Sequence, residues 1–73
     1  MNQIVFRVVP HEGMWLVEYD ERHLCSHQTK DVAVREAREL ARERRPSQVI
    51  VYGEDGEIED QSTYPDDPLP PPV

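Results

Sequence analysis

Residues 4–9 read Ile4, Val5, Phe6, Arg7, Val8, Val9, and all but Arg7 are β-branched or aromatic. The run is too short for a helix and ends at Pro10, which cannot donate to a sheet ladder, so it predicts a strand. Period 2 puts Ile4, Phe6 and Val8 on one face and Val5, Arg7 and Val9 on the other. Residues 14–19 repeat the device, with Trp15, Val17 and Tyr19 on one face and Met14, Leu16 and Glu18 on the other. Between them, Pro10-His11-Glu12-Gly13 makes a short connection, and Gly13 tolerates positive φ. The two runs predict a β-hairpin. Residues 22–27 (Arg22-His23-Leu24-Cys25-Ser26-His27) carry a weaker strand pattern and are the candidate third strand.

The period then changes. Thr29 suits an N-cap and Asp31 the positive end of a helix dipole. At about 100° per residue, Ala33, Val34, Ala37, Leu40 and Ala41 share one sector about 120° wide, which predicts a helix lying on a sheet. Its three alanines allow a close approach. Arg42, Arg44 and Arg45 are expected in the last turn, where cations suit the dipole, and Pro46 stops the helix. Ser47 to Tyr52 is the most strand-like run in the chain. Gly53-Glu54-Asp55-Gly56 predicts a turn, and residues 57–61 return around Ile58 as an acidic edge strand.

These elements predict an α+β fold in the order β-β-(β)-α-β-β. The expected sheet is antiparallel, with four strands, or five if residues 22–27 pair, and one helix on one face. Residues 1–65 are expected to form the single domain and residues 66–73 a proline-rich tail. Pro68-Leu69-Pro70-Pro71-Pro72 predicts polyproline II or disorder. At 73 residues a single domain is expected. Apolar side chains are 37% of the chain and no long apolar run exists, so no membrane span is expected. Met1-Asn2-Gln3-Ile4 lacks a basic n-region and no uninterrupted apolar stretch follows, so no secretory signal is expected. Cys25 is the single cysteine, cannot form an internal disulfide and fits a reducing cytoplasm.

Val8-Val9-Pro10-His11 is followed by Gly13-Met14-Trp15, then by Thr29-Lys30 with Ala33, Ala37, Arg38, Glu39, Leu40 and Ala41. Val49-Ile50-Val51-Tyr52-Gly53, Asp55-Gly56, Ile58, Tyr64, Asp67 and Pro68 complete the series. In this order the residues resemble the small bacterial and phage proteins grouped as domain-of-unknown-function family 2188. Two positions depart from that pattern. Met14 stands where a glycine usually precedes the tryptophan, and Pro65 stands where a glycine usually follows the late tyrosine. The resemblance implies the fold and carries over no activity and no catalytic residue.

Candidate chemistry is sparse. On a regular strand His23, Cys25 and His27 would share one face, and His11 would supply a fourth donor for zinc. Structural zinc sites usually draw their ligands from turns with other spacings, so ordinary connector residues are the simpler expectation. Cys25 with a neighbouring histidine as base would make a nucleophile, yet no oxyanion hole is identifiable. Gly53-Glu54-Asp55-Gly56 lacks the twelve-residue spacing of a calcium loop. No phosphate loop, HExxH or GxSxG occurs, and no enzyme, metal or cofactor is expected.

Charge says more. Fifteen acids against eight bases give −7, with pI near 4.7. Residues 29–45 are net +2, while residues 46–73 hold seven acids and no base. Arg35, Arg38, Arg42 and Arg45 fall in one helical sector about 80° wide, a candidate interaction surface. The plain expectation is a solvated face with local pairs such as Asp31–Arg35 and Glu39–Arg42. The leading functional expectation is a non-enzymatic, cytoplasmic protein-interaction module, homodimeric through self-complementary charge and an apolar open face around Val5, Val9, Met14 and Leu16. The alternatives are nucleic-acid association through the arginine stripe, opposed by −7 overall, and an acidic mimic of DNA.

Overall fold

Phe6, Val8, Val17 and Val49 are at most 1% exposed, and they meet on one face of a sheet beneath a row of three alanines. The computed structural model describes residues 3–65. The expectation for the proline-rich tail falls on residues 66–73, outside the described residues. In chain order the elements are β1 (Ile4–His11), β2 (Met14–Tyr19), β3 (Arg22–His27), α1 (Lys30–Glu43), β4 (Ser47–Tyr52) and β5 (Ile58–Tyr64).

The sheet has five strands in the order β3-β2-β1-β4-β5. It is mixed, which corrects the expected all-antiparallel sheet: β1 and β4 pair in parallel, Phe6 opposite Val49 and Val8 opposite Val51. Direction is set by parity. Residues 22–27 do form a strand, so the chain reverses at each of two hairpins, the crossover through α1 adds no net reversal, and β4 runs the same way as β1. A parallel pair needs a crossover connection, and α1 is that connection.

The first hairpin is tighter than the sequence suggests. β1 continues through Pro10 and His11, which face Trp15 and Met14, leaving only Glu12 and Gly13 as the loop at φ +53° and +80°. Proline is tolerated because His11 and Met14 flank the two-residue loop, which makes Pro10–Trp15 a pair without mutual hydrogen bonds. The nitrogen of Pro10 therefore points toward the β4 side, where pairing with β1 ends at Val8–Val51.

The second hairpin turns on Asp20 and Glu21, at φ +54° and +63°. Left-handed backbone costs an L-residue about 1–2 kcal/mol, and this two-residue turn type favours Asn-Gly. The double substitution Asp20→Asn/Glu21→Gly is expected to stabilise the chain by about 1 kcal/mol, raising the melting temperature by about 4–8 °C. A circular-dichroism melt checks this, and a lowered midpoint refutes it.

The helix is capped as predicted, with the Thr29 hydroxyl accepting from the Val32 amide at 3.4 Å. Ala33, Ala37 and Ala41 are fully buried, and Val34 and Leu40 flank them half-buried. The C-terminus comes earlier than expected. Arg44 is the C-cap and only Arg42 lies in the last turn, so Arg44 and Arg45 are outside the helix. Ser47, the one buried polar residue described, donates from Oγ to the Ala41 carbonyl at 2.6 Å. That bond fastens the end of α1 to the start of β4. β5 runs to Tyr64 rather than ending near residue 61, because all of β4 finds a partner there, from Ser47–Tyr64 to Tyr52–Ile58. Among the described residues, no helix is long and apolar enough to cross a membrane.

Candidate functional site

The two faces of the sheet offer different chemistry. On the helix side, α1 and β5 border a groove lined by Lys30, Arg35, Arg38 and Arg42 on one hand and Asp31, Glu39, Glu59 and Asp60 on the other, over Val34 and Val51. Lys30 pairs with Glu59 and stands 5.3 Å from the Trp15 ring centroid. Arg38 Nη2 donates to Asp60 Oδ2 at 3.2 Å. These cross-element pairs replace the expected intrahelical ones: among the described residues neither Asp31–Arg35 nor Glu39–Arg42 forms an ion pair. Exposed pairs of this kind contribute about 0–1 kcal/mol each. Their effect is to place the two carboxylates against the helix.

Three of the four stripe arginines therefore share a groove, but its cations face an equal number of carboxylates. Arg45 leaves the stripe because the helix has already ended. Its Nε donates to the Arg42 carbonyl at 3.2 Å, and its guanidinium lies 6.0 Å from the Tyr64 ring centroid. Arg35 and Arg42 are exposed. The stripe is thus partly spent on holding the structure together.

The histidine–cysteine cluster is split by a register shift. Val17 pairs with Cys25 and Trp15 with His27, which puts Cys25 and His27 on the helix side. A shift between Val17 and Glu18 then pairs Glu18 with His23, on the other face of the sheet. Among the described residues no three His, Cys, Asp or Glu side chains gather as a metal-holding group. Burial, and secondly the Glu36 carboxylate, raises the Cys25 thiol above its ordinary value. The thiol stays protonated at neutral pH and is poorly placed as a nucleophile.

The face away from the helix has no described element upon it. β1 contributes Val5, Arg7, Val9 and His11; β2 contributes Met14, Leu16 and Glu18; β4 contributes Gln48, Ile50 and Tyr52, by alternation and register. β5 adds Ile58, Gln61 and Thr63, the partners of Tyr52, Ile50 and Gln48. Leu16 and Ile50 are already buried, at 9% and 8% exposure, whereas Ile58 is 53% exposed. Arg7 lies directly across from Glu18, so the ionised side chains of these four strands cancel on this face. On a chain of −7, this is a neutral, largely apolar surface. The sequence placed Val5, Val9, Met14 and Leu16 here. It missed Ile50 and Tyr52, although the alternation Val49, Val51 against Ile50, Tyr52 carries that signal.

No curated protein and no solved structure matches the chain. Residues 6–64, from the first buried strand residue to the end of β5, match the family described as "Uncharacterized protein conserved in bacteria (DUF2188)", and the chain belongs to that family.

Proposed function

We propose that this chain is a non-enzymatic protein-interaction module whose contact surface is the open face of the sheet. The partner it fits presents an apolar centre with one acidic and one basic group. The observation that carries this role is the neutral face on which the half-buried Val5, Val9, Met14 and Tyr52 surround the buried Leu16 and Ile50, with Arg7 opposite Glu18. Interface centres are depleted of charge and enriched in apolar and aromatic side chains, whereas the remainder of this chain is strongly acidic. A non-enzymatic role is supported by the raised Cys25 thiol and by His23 standing on the opposite face from Cys25.

The arginine stripe gives less support to nucleic-acid association, because Arg38 is paired with Asp60 and the groove charges balance. A DNA mimic would need a free row of carboxylates, and Glu59 and Asp60 are engaged by Lys30 and Arg38.

The test is site-specific photo-crosslinking in living cells, with benzoylphenylalanine replacing Tyr52 on the open face or Arg35 on the helix. A discrete protein adduct is expected from position 52, lost when Val9→Glu is added, and none from position 35. Absence of any adduct from position 52 overturns the assignment.

A further inference from the structure

The open face is built to match itself. Arg7 lies opposite Glu18 and Val9 opposite Leu16 across the β1–β2 ladder. A two-fold axis laid along the strands, midway between β1 and β2 and just above this face, exchanges the two strands and keeps position along them. It brings Arg7 of one copy onto Glu18 of the other, and Glu18 onto Arg7. By the same operation Val9 meets Leu16 and Leu16 meets Val9. An isologous interface requires this reciprocity, residue i meeting j and j meeting i. An axis laid along the Arg7–Glu18 row instead stacks like charges.

From this register we infer that the occupant of the open face is a second copy of this chain, packed sheet on sheet with β1 of one copy over β2 of the other. The inference rests on the interaction role proposed above. Aligned packing of two twisted sheets, about 30° apart, is an ordinary geometry for such faces.

Charge and area both allow it. Under this axis β4 lies over β3 of the partner, and β5 falls outside the overlap. The acids Glu59 and Asp60 are turned toward α1 by Lys30 and Arg38, away from the contact. The face that meets its copy is therefore neutral although the chain is −7. Four strands about 4.8 Å apart, six residues long at about 3.3 Å each, cover roughly 380 Å² of plane per copy. Side-chain relief brings the combined area of two copies near the roughly 1,000 Å² at which specific interfaces begin.

The charges also supply the test. Arg7→Glu makes a copy acidic at both positions, and Glu18→Arg makes one basic at both. In sedimentation velocity the unaltered chain is expected to dimerise at micromolar to submillimolar concentration. Each variant alone should associate about tenfold or more weakly, because like charges meet. An equimolar mixture of the two should regain the dimer, since acidic then faces basic at both contacts. Far-UV circular dichroism establishes that each variant is folded. On the unaltered chain, a half-labelled sample read by isotope-filtered NMR should show intermolecular contacts between the Val9 and Leu16 methyls. A chain that stays monomeric throughout this range, or a dimer lacking the Val9–Leu16 contacts, overturns the inference. A monomer that still gives a Tyr52-position adduct with a different protein overturns the second copy alone and leaves the interaction role standing.

Discussion

Phe6→Ala should cost about 3–5 kcal/mol, the usual range for removing a fully buried aromatic ring. The ring is wholly inaccessible and lies 5.6 Å from that of Tyr19, tilted at 37°. It stands on the central strand between Tyr19 of β2 and Val49 of β4, so no single neighbour can close the space. A chain of 73 residues has a total stability of about 4–11 kcal/mol by the usual per-residue range. The substitution therefore removes from about a quarter of the stability to all of it. Urea unfolding followed by Trp15 fluorescence measures the effect. With a slope near 1 kcal/mol per molar, the midpoint falls by about 3–5 M, or the variant is unfolded in water. A loss below about 1 kcal/mol would show that the core is not centred on Phe6.

Most of this core was legible from alternation alone. Ile4, Phe6 and Val8 against Val5, Arg7 and Val9 divides β1 correctly, as does Trp15, Val17 and Tyr19 for β2. Both faces of β1 are apolar, which is the mark of an inner strand rather than an edge. What alternation lacks is direction. If residues 22–27 were a loop, one hairpin and one helix would return β4 antiparallel to β1. As a strand they add one reversal and make the pair parallel. Those six residues are mostly polar and four of them are exposed, Leu24 at 43%, so the local signal was weakest where the topology depended on it most.

The functional surface was legible to a similar depth. Four of its apolar residues followed from period 2, but two irregularities did not. The register shift at Val17/Glu18 sends His23 to the open face, and the shift at Val51/Tyr52 lets Glu59 reach Lys30 on the helix side. A strict two-residue period cannot anticipate either. The arginine sector failed at one end for a different reason. Helical angle applies only while the helix lasts, and α1 stops at Glu43, two residues before Arg45. Fraying ends are where propensity, capping and a following proline compete, so the boundary was the least determined part of the pattern.

Ala37→Leu should destabilise the chain by about 3 kcal/mol, the upper end of the range for overpacking. Leucine is nearly as good a helix former as alanine, so the loss reports packing and not propensity. Ala33, Ala37 and Ala41 lie one above another on the buried line of α1, each fully inaccessible, against Phe6, Val8, Val17, Val49 and Val51. A leucine in the middle of that line has no space to enter, so the helix must rise. Rising pulls the Ala41 carbonyl from Ser47 Oγ and draws Lys30 and Arg38 away from Glu59 and Asp60. One added side chain thus works against the sheet contact, the strap at the helix end and both pairs to β5. At about 4–8 °C per kcal/mol the melting temperature drops by roughly 12–24 °C. Val34→Leu, on the half-buried flank of the same helix, should change it little and serves as the control. An Ala37→Leu chain that melts like the unaltered one would mean that the alanine line is not the closest approach of helix to sheet.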